Sequence, residues 1–478
     1  MVTIAIAIVR LPARVPVTDP RYGGPIFINP GGPGGSGVAK AFKDGPRMQQ
    51  AADYLSAPDE QTPSPNLNSK YFDIIGFDPR GVNHSTPKLL CFPDSAAREA
   101  WQLQESAEGI IGSSEAAFER KWARWGSFVG SCMQRVATDD ASDIALHMNT
   151  APVAADILEI AERHAEWRQT QAESWLSSLS GRLSTAGARS SDPNSRESIR
   201  TRTEWKRGFE RVSYWGISYG SVLASTFAAM FPDRVSRFIL DGVEDPQEHY
   251  TGVWNSSIIH ADSAIDKFFQ YCFDAGPKKC AMYDERGPGA MRTDFNSLLA
   301  DIKVNALPVP ASHWRGPEVI TYSDIMKAFK DSLYTPIQSF PALARVVADV
   351  ASRDGHSFAD YKKFKSTPFS RSKQCEAEGP YTTACMRPGE WQDEAEVSVQ
   401  CGDGNNSIGE TKERFLEYRR NLKNQSQLVG DIWSEYYLRC VGWSIRPKWR
   451  YSGPFEANTS HPLLMIANTL DPITPAKK

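Results

Sequence analysis

Residues 212–224 read VSYWGISYGSVLA and decide the fold. The first residues are typical of a strand, the pattern G-x-S-x-G follows, and an apolar run typical of a buried helix then begins. Small residues at Gly216 and Gly220 allow a tight turn that holds Ser218 in a strained conformation above a sheet. A Gly/Ser-rich turn that merely joins two elements is the alternative. The flanking strand and helix favour the first interpretation, so Ser218 is predicted to be a nucleophile.

Strands and helices alternate around this segment. Buried strands are predicted at residues 24–29, 71–77 and 234–243, and a helix is predicted at residues 143–166. The alternation indicates an α/β fold with a parallel sheet. Residues 168–207 are rich in Ser, Arg, Gln and Thr, and we expect a solvated, mobile insertion there.

The alternation stops near residue 245, and mostly helical patterning follows. We therefore predict a core domain at residues 1–245, a helical cap or lid at 246–460 and a return to the core at 461–478. Some tryptophans of the cap are candidates for lining a substrate pocket, although most buried tryptophans only pack. These candidates are Trp254, Trp314, Trp391, Trp433, Trp443 and Trp449.

Composition excludes several classes of partner. The net charge is −3 and the isoelectric point is about 6.3, without a basic block that would favour nucleic acid or an anionic membrane surface. No apolar run approaches the roughly 20 residues that a bilayer span needs. Residues 1–9 are apolar, but they lack a basic segment and a cleavage site, so they are predicted to form a core strand rather than a signal peptide. Composition does not indicate the oligomeric state.

The cysteines point to an oxidising compartment. Eight are present, and none has the C-x-x-C spacing of a metal site. N-glycosylation sequons begin at Asn83, Asn255, Asn405, Asn424 and Asn458. Together these features favour a disulfide-bonded glycoprotein of the secretory pathway. Connectivity does not follow from sequence, but proximity suggests the pairs Cys272 with Cys280, Cys375 with Cys385, Cys91 with Cys132, and Cys401 with Cys440.

A glycine-dense loop, PGGPGGSG at residues 30–37, follows the strand at 24–29. Such a loop can direct amide N–H groups toward one point, as an oxyanion hole or a phosphate site requires. The phosphate interpretation is weak because Lys40 is misplaced for a P-loop. A flexible linker is a further alternative, which the position directly after a strand disfavours. Farther on, Asp78 and Arg80 are predicted to pair and to brace the end of the strand at 71–77.

Five motifs carry a resemblance to a known family. They are NPGGPGGSG at 29–37, FDIIGFDPRG at 72–81, YWGISYG at 214–220, FPDRVSRFILDGVEDP at 231–246 and ANTLDPITP at 467–475. In this order they resemble the α/β-hydrolase serine peptidases of the prolyl and tripeptidyl aminopeptidase type. The version resembled carries the tripeptidyl aminopeptidase C-terminal segment and is common in fungi and actinobacteria. The resemblance implies an α/β-hydrolase fold, a mostly parallel sheet with helices on both faces and a largely helical inserted cap domain.

The resemblance also implies roles for individual residues. Ser218 is the nucleophile, and Asp471 is the acid that orients the catalytic histidine. The oxyanion hole uses the N–H groups of Gly32 and Tyr219, because the tetrahedral oxyanion needs donors already in place. No metal-ligand cluster is evident in the sequence, and a serine mechanism needs no cofactor.

Histidine departs from the family pattern. The family places it after the acid, but only residues 472–478 follow Asp471, and none of them is histidine. His461 is the nearest in sequence, at the other end of the strand that leads to Asp471. The remaining histidines are His84, His147, His164, His249, His260, His313 and His356. We therefore expect this sequence to be a fragment, or a mis-predicted gene model truncated before the last strand and helix, of a longer secreted enzyme.

Three functions fit these patterns. The first is an aminopeptidase that releases short peptides or residues through an acyl-enzyme, with Glu244 and Asp245 as candidates for binding the free amine. Asp245 precedes Pro246 and is alternatively a helix cap. The second is an esterase or another small-molecule hydrolase, including one of a biosynthetic pathway. The third is an inactive chain that lacks its general base.

Overall fold

Six strands form one central sheet, and a separate pair lies in the helical region. A computed structural model describes residues 3–58, 67–138, 140–178, 195–313, 315–362, 372–386, 393–405 and 407–476. The strands are β1 (Ile8–Leu11), β2 (Tyr22–Asn29), β3 (Tyr71–Phe77), β4 (Val212–Ile217), β5 (Val235–Asp241), β6 (Leu307–Val309), β7 (Glu318–Ile320) and β8 (Leu463–Ile466). The central sheet has the order β1-β3-β2-β4-β5-β8, and β6 pairs with β7.

The helices, in chain order, lie mostly in the second half of the chain. They are α1 (Gly37–Ala52), α2 (Ser95–Glu108), α3 (Glu115–Thr138), α4 (Thr150–Ser178), α5 (Arg196–Thr203), α6 (Tyr219–Met230), α7 (Pro246–Thr251), α8 (Ala261–Ala275), α9 (Pro288–Val304), α10 (Tyr322–Ser332), α11 (Pro336–Ala351), α12 (His356–Lys362), α13 (Lys373–Glu378), α14 (Asp393–Asp403), α15 (Lys412–Gln425) and α16 (Gly430–Leu438).

Successive strand residues point to opposite faces of the sheet, and both faces are covered. Phe27 and Ile75 pack against α4 and α6 on one face. Their neighbours Ile28 and Ile74 pack against α1 on the other. Apart from β1, which runs antiparallel to β3, the neighbouring strands of this sheet are parallel. The predicted α/β fold with helices on both faces is confirmed.

The first strand lies at the sheet edge. We expected residues 1–9 to form a core strand, but β1 begins at Ile8 and pairs only with β3 among the described strands. Its side chains are half-buried or exposed. An apolar run can therefore form an edge strand when one face still packs against a helix, as Leu11 does against α1.

The strand order reverses beside β2. The chain moves from β2 to β3 on one side and later returns to β4 on the other. In such sheets a crevice opens at the carboxyl ends of the strands where the order reverses, and ligands bind there. The glycine-dense loop leaves β2 and the Ser218 turn leaves β4 at this point, so the topology brings the two motifs together.

Two helices of the predicted core domain pack against the helical region. Residues of α2 and α3 share one hydrophobic cluster with residues between Tyr250 and Ile445. Phe118 of α3 stacks on Phe415 of α15, and Arg98 of α2 pairs with Glu394 of α14 at 2.6 Å. The structure thus packs α2 and α3 with the helical region, whereas we assigned them to the core. The boundaries near residues 246 and 460 stay predictions.

The expected insertion at residues 168–207 is mostly helical where the structure describes it. Helix α4 continues to Ser178, and α5 begins at Arg196. Ala172, Leu176 and Ile199 form a small buried cluster between the two helices, which explains why a polar sequence remains helical here. Residues 179–194 lie outside the described residues.

All eight cysteines form disulfide bonds. The pairs are Cys91–Cys132, Cys272–Cys280, Cys375–Cys385 and Cys401–Cys440. The connectivity suggested by sequence proximity is therefore confirmed. In the part of the chain that the structure describes, no helix combines the length and the apolar character needed to cross a bilayer.

Candidate active site

Ser218 lies at the junction of β4 and α6, where the chain turns sharply. Its backbone has a φ of 56° and a ψ of −125°, a combination that residues with side chains rarely adopt. Glycines permit the turn, since a β-carbon on Gly216 would lie 2.2 Å from the carbonyl oxygen of Gly220. The Ser218 N–H donates to the carbonyl oxygen of Asp241 at 2.9 Å. This is the geometry of a nucleophile elbow.

The glycine-dense loop packs directly against this elbow. Gly31 has a φ of +84°, and a β-carbon there would lie 2.3 Å from the carbonyl oxygen of Ile217 and 3.1 Å from the Ser218 Cβ. Gly32 lines the same pocket as Ser218. No described residue accepts a hydrogen bond from the N–H of Gly32 or Tyr219. Two such donors beside Ser218 are the arrangement that an oxyanion hole requires.

Asp78 anchors the far end of the loop. Its carboxylate accepts hydrogen bonds from the Ser36 hydroxyl (2.5 Å), the Val38 N–H (3.1 Å) and the His84 N–H (3.1 Å). Ser36 in turn caps α1. The predicted Asp78–Arg80 pair is wrong, because Arg80 forms a bidentate pair with Asp156 of α4.

Asp471 lies in the turn that follows β8, on the side of the sheet where Ser218 is found. It is 9% exposed and accepts from the N–H groups of Ile473 (3.0 Å) and Thr474 (2.7 Å). Thr474 and Ser218 both line the pocket, and a β-carbon on Gly242 would lie 3.1 Å from the Thr474 Oγ1 and 4.0 Å from the Ser218 nitrogen. The structure therefore places the Asp471 turn beside the elbow.

His461 lies at the opposite end of the sheet. Its Nδ1 is 3.2 Å from the carbonyl oxygen of Val235, the first residue of β5, whereas Ser218 and Asp471 follow the last residues of their strands. Among the described residues, no histidine forms a hydrogen bond with the Ser218 hydroxyl or with Asp471.

The pocket above Ser218 is small and mixes acidic with aromatic groups. The cavity measures about 60 Å³, which is room for a few water molecules or a short side chain. Glu244, His249, Glu396 and Gln400 are among the residues that line it, and four aromatic rings form part of its wall. These are Trp254, Tyr334, Trp433 and Tyr436.

Of the tryptophans considered as pocket residues, two contribute to this wall. Trp443 is instead buried in the core, and Trp449 is 46% exposed. Trp314 and Trp391 lie outside the described residues.

Glu244 and Asp245 have different surroundings. The Glu244 Oε1 lies 3.2 Å from the His249 Nδ1 and accepts from the Trp254 Nε1 at 3.1 Å. Asp245 does not line the Ser218 pocket. Its side chain accepts from the Gln247 and Glu248 N–H groups and caps α7. The geometry thus places Glu244 in the same pocket as Ser218 and gives Asp245 the capping position.

His249 is buried between two carboxylates. Its Nε2 lies 3.1 Å from the Asp403 Oδ2, and the side chain is 1% exposed. Burial opposes a charge on the ring, but the hydrogen bonds to Asp403 and Glu244 outweigh it and raise the pKa of His249 to about 9. The ring is therefore an imidazolium at neutral pH, and both nitrogens donate.

Sequence reasoning missed the pocket residues that come from α14. Glu396 and Gln400 lie one helical turn apart and so share a face, but they follow Ser218 by well over a hundred residues. Glu396 forms an ion pair with Arg439 at 3.2 Å. Acidic residues early in a helix usually stabilise its N-terminus, so nothing local marked Glu396. No group of three or more His, Cys, Asp or Glu side chains suited to hold a metal ion occurs among the described residues.

Two family models match the sequence. A model described as an α/β-hydrolase fold matches residues 24–281, which is more than half of the chain. A model described as a TAP-like protein matches residues 426–478. The two matches cover the regions that contain Ser218 and Asp471, respectively.

Three relatives illustrate the similarity. The chain is 27% identical over 342 residues to a protein named serine protease Hip1 of Mycobacterium tuberculosis, covering 70% of this chain and 49% of that protein. It is 25% identical over 244 residues to a tripeptidyl aminopeptidase of Streptomyces lividans, covering 51% and 32%. An 82-residue stretch is 40% identical to carboxylesterase B of M. tuberculosis, covering 17% and 13%. The chain thus spans at most about half the length of these relatives.

Proposed function

Since the chain belongs to the α/β-hydrolase family, we propose that it is a serine aminopeptidase that releases short peptides or residues from free N-termini through an acyl-enzyme. Names of similar proteins support a peptidase: one is called a serine protease and another a tripeptidyl aminopeptidase. Because the chain spans half of the first relative or less, the activity of the whole protein stays a proposal.

One observation carries this proposal. Glu244 and Glu396 line the same small cavity as Ser218. A carboxylate within a buried cavity attracts an ammonium group, and aromatic walls add to that attraction through their electron-rich faces. Each carboxylate already has a cationic neighbour, His249 or Arg439. A bound free amine would therefore share the two carboxylates with His249 and Arg439.

We propose that the remaining groups of the site act as follows. The Ser218 oxygen attacks the scissile carbonyl carbon, and its proton passes to a base. The resulting oxyanion accepts hydrogen bonds from the N–H groups of Gly32 and Tyr219. The protonated base donates its proton to the amine as it leaves, an ester to Ser218 remains, and water then hydrolyses this ester to release the acid and regenerate Ser218. Asp471 is proposed to orient the histidine that serves as the base.

We also infer an extracellular or secretory location. Four disulfides need an oxidising compartment to persist. A peptide or a small ester or amide is the proposed substrate. Glycosylation at the sequons stays a prediction.

The test uses protein expressed from the complete reading frame, after the transcript has been sequenced past codon 478. Tripeptidyl and aminoacyl anilides are compared with their N-acetylated forms. We expect hydrolysis of the free-amine substrates, and we expect Ser218→Ala to lower kcat by roughly 10⁶-fold, as loss of a catalytic serine does elsewhere. A preference for acetylated substrates would contradict the proposal.

Glu244→Gln tests the amine site separately. We expect KM for free-amine anilides to rise about tenfold, because an uncharged amide no longer attracts the ammonium group, while kcat changes little. Glu318→Gln is the matched control, since Glu318 lies on β7 and does not line the pocket. An unchanged KM in Glu244→Gln would remove Glu244 from the proposed site.

An esterase is the second candidate. The observation that favours it is the stretch of 40% identity to a protein named carboxylesterase B. The small cavity would also accommodate a short acyl group. Faster hydrolysis of short acyl esters than of any peptide anilide, unaffected by Glu244→Gln, would favour this candidate.

A further inference from the structure

His249 belongs to a buried chain of hydrogen bonds that starts in the pocket and ends in the core. From Glu244 the chain passes through His249 to Asp403, the last residue of α14. Asp403 accepts from the Thr150 hydroxyl at 2.5 Å, and the Thr150 oxygen lies 2.5 Å from the Tyr219 hydroxyl. Its five members come from four helices and one turn, so each fixes the position of the next.

Asp403 anchors α14 to the core. Besides the Thr150 hydroxyl, it accepts from the Thr150 N–H (3.1 Å) and the Asn149 side chain (3.3 Å). Thr150 is the first residue of α4, so this carboxylate takes the position of a helix cap and meets the positive end of the helix dipole. Asp403 is fully buried. A buried charge with this many partners moves only at considerable cost.

The ring of His249 lies among three aromatic rings and two carboxylates. Its centre lies 5.2 Å from the Tyr219 ring, 5.5 Å from the Tyr250 ring and 6.2 Å from the Trp254 ring. Both nitrogens face carboxylates. Rotation of the ring would therefore break its contacts with both Glu244 and Asp403.

We propose that His249 is a positioning residue that links the docking of α14, through Asp403, to the orientation of Glu244 in the pocket. Asp403 does not line the pocket, yet selectivity for a free amine then depends on it. The inference deepens the proposed function, because it rests on Glu244 as a binding group for the substrate amine.

Binding measurements test this link without turnover. The full chain with Ser218→Ala is titrated calorimetrically with trialanine amide and with N-acetyl trialanine amide. In this background, Asp403→Asn is expected to weaken binding of the free-amine peptide about tenfold and to leave binding of the acetylated peptide within about twofold, because only the free amine contacts Glu244. Equal weakening of both peptides would overturn the proposal.

Two substitutions of His249 separate its two contacts. Glutamine places its donor near the Nε2 position and can keep the bond to Asp403, whereas asparagine places its donor near Nδ1 and can keep the bond to Glu244. A positioning role requires both bonds, so each variant is expected to lose about tenfold in affinity for the free-amine peptide. Full affinity in His249→Asn would overturn the link to Asp403.

The control is Asp262→Asn. Asp262 is another carboxylate of the helical region, which accepts from the Ser426 hydroxyl and the Gln427 N–H away from the pocket. Both peptides are expected to bind it as they bind the parent. If Asp403→Asn fails to fold, Thr150→Val is used instead, because it removes only the hydroxyl between Asp403 and Tyr219. It too is expected to weaken binding of the free-amine peptide and to leave binding of the acetylated peptide nearly unchanged.

Amide hydrogen exchange distinguishes failure of this link from failure of the proposed function. If the parent shows no preference for the free amine, the proposed role of Glu244 is wrong. Amide exchange at residues 243–249 then still tests the link from Asp403 through His249. Asp403→Asn is expected to accelerate exchange there about tenfold relative to Asp262→Asn, because the bond that holds His249 is weakened. Unchanged exchange at these residues would overturn the link.

Discussion

Gly31 brings the loop after β2 into contact with the turn that carries Ser218. Two properties of this residue matter: its φ of +84° and the space for its β-carbon, which the Ile217 carbonyl oxygen already occupies at 2.3 Å. A side chain meets both obstacles at once. The position of the glycine-dense loop therefore depends on the absence of a β-carbon at Gly31.

Gly31→Ala is expected to destabilise the protein by roughly 2–4 kcal/mol, because the backbone must strain and the loop must move. Gly276→Ala is the matched control: Gly276 has a φ of +75°, but its β-carbon would meet nothing within 4 Å. There only the backbone cost of roughly 1–2 kcal/mol is expected. Denaturant unfolding measures both variants. Equal losses would show that the contact with Ile217 is unimportant.

The raised pKa of His249 makes the stability of the fold depend on pH. Glu244 and Asp403 raise its pKa to about 9 in the folded protein from an ordinary value of 6.5, against the effect of burial. A raised pKa stabilises the fold fully below the unfolded value, and this stabilisation is lost as pH rises from about 6.5 through 9. The loss is on the order of 3 kcal/mol.

Unfolding titrations at several pH values measure this loss. His249→Gln is expected to be less stable than the parent at pH 6 and to show a flatter profile between pH 6.5 and 9. His356→Gln, which alters a half-exposed histidine of α12, should retain the slope of the parent. A parental slope in His249→Gln would contradict a charged His249.

At the scale of elements, the N-terminus of α1 is joined to β3 through Asp78. This buried carboxylate binds the cap residue Ser36, the N–H of Val38 in the first turn and the backbone of His84. Since Ser36 is the next-to-last residue of the glycine-dense loop, the same contacts position α1 and this loop.

Asp78→Asn is expected to cost about 1–3 kcal/mol, because a charged acceptor is lost and a buried donor is left without a partner. The control is Asp44→Asn on α1, which removes only the partly exposed ion pair with Lys40. A loss of about 0.5 kcal/mol is expected there. Thermal unfolding and hydrolysis of the preferred substrate are measured together. If Asp78→Asn is destabilised but keeps normal activity, the contacts of Asp78 do not position the glycine-dense loop.

At the scale of the whole molecule, features encoded by local sequence patterns could be predicted, whereas contacts between residues far apart in the sequence could not. The strand, glycine and serine patterns around Ser218 act over a few residues, so the sheet and the elbow could be read from sequence. The disulfides were predictable because each joins cysteines that are neighbours in the order of the chain. The contact of His249 with Asp403 joins residues 154 positions apart, and packing of the helical region, which leaves no local signature, determines it.

The disulfides differ in the length of chain they close. Cys91–Cys132 and Cys401–Cys440 close loops with separations of 41 and 39 residues, against 8 and 10 for the other two. Loop entropy predicts that loss of a long loop costs about 4 kcal/mol and loss of a short one about 2.5–3 kcal/mol. Paired Cys→Ser variants, unfolded without reductant, measure this order. A larger loss for Cys272 with Cys280 than for Cys401 with Cys440 would contradict the entropic account.

The enclosure of α14 has a consequence for which polypeptides can reach Ser218. Every residue of this helix from Glu394 to Asp403 is buried, and the Cys401–Cys440 bond and the Arg98–Glu394 pair hold it. Raising it would bring buried charges into water without their partners, so it forms a fixed wall rather than a moving gate. Under the proposed function, this fixed wall is expected to exclude folded proteins and to admit a loose chain end.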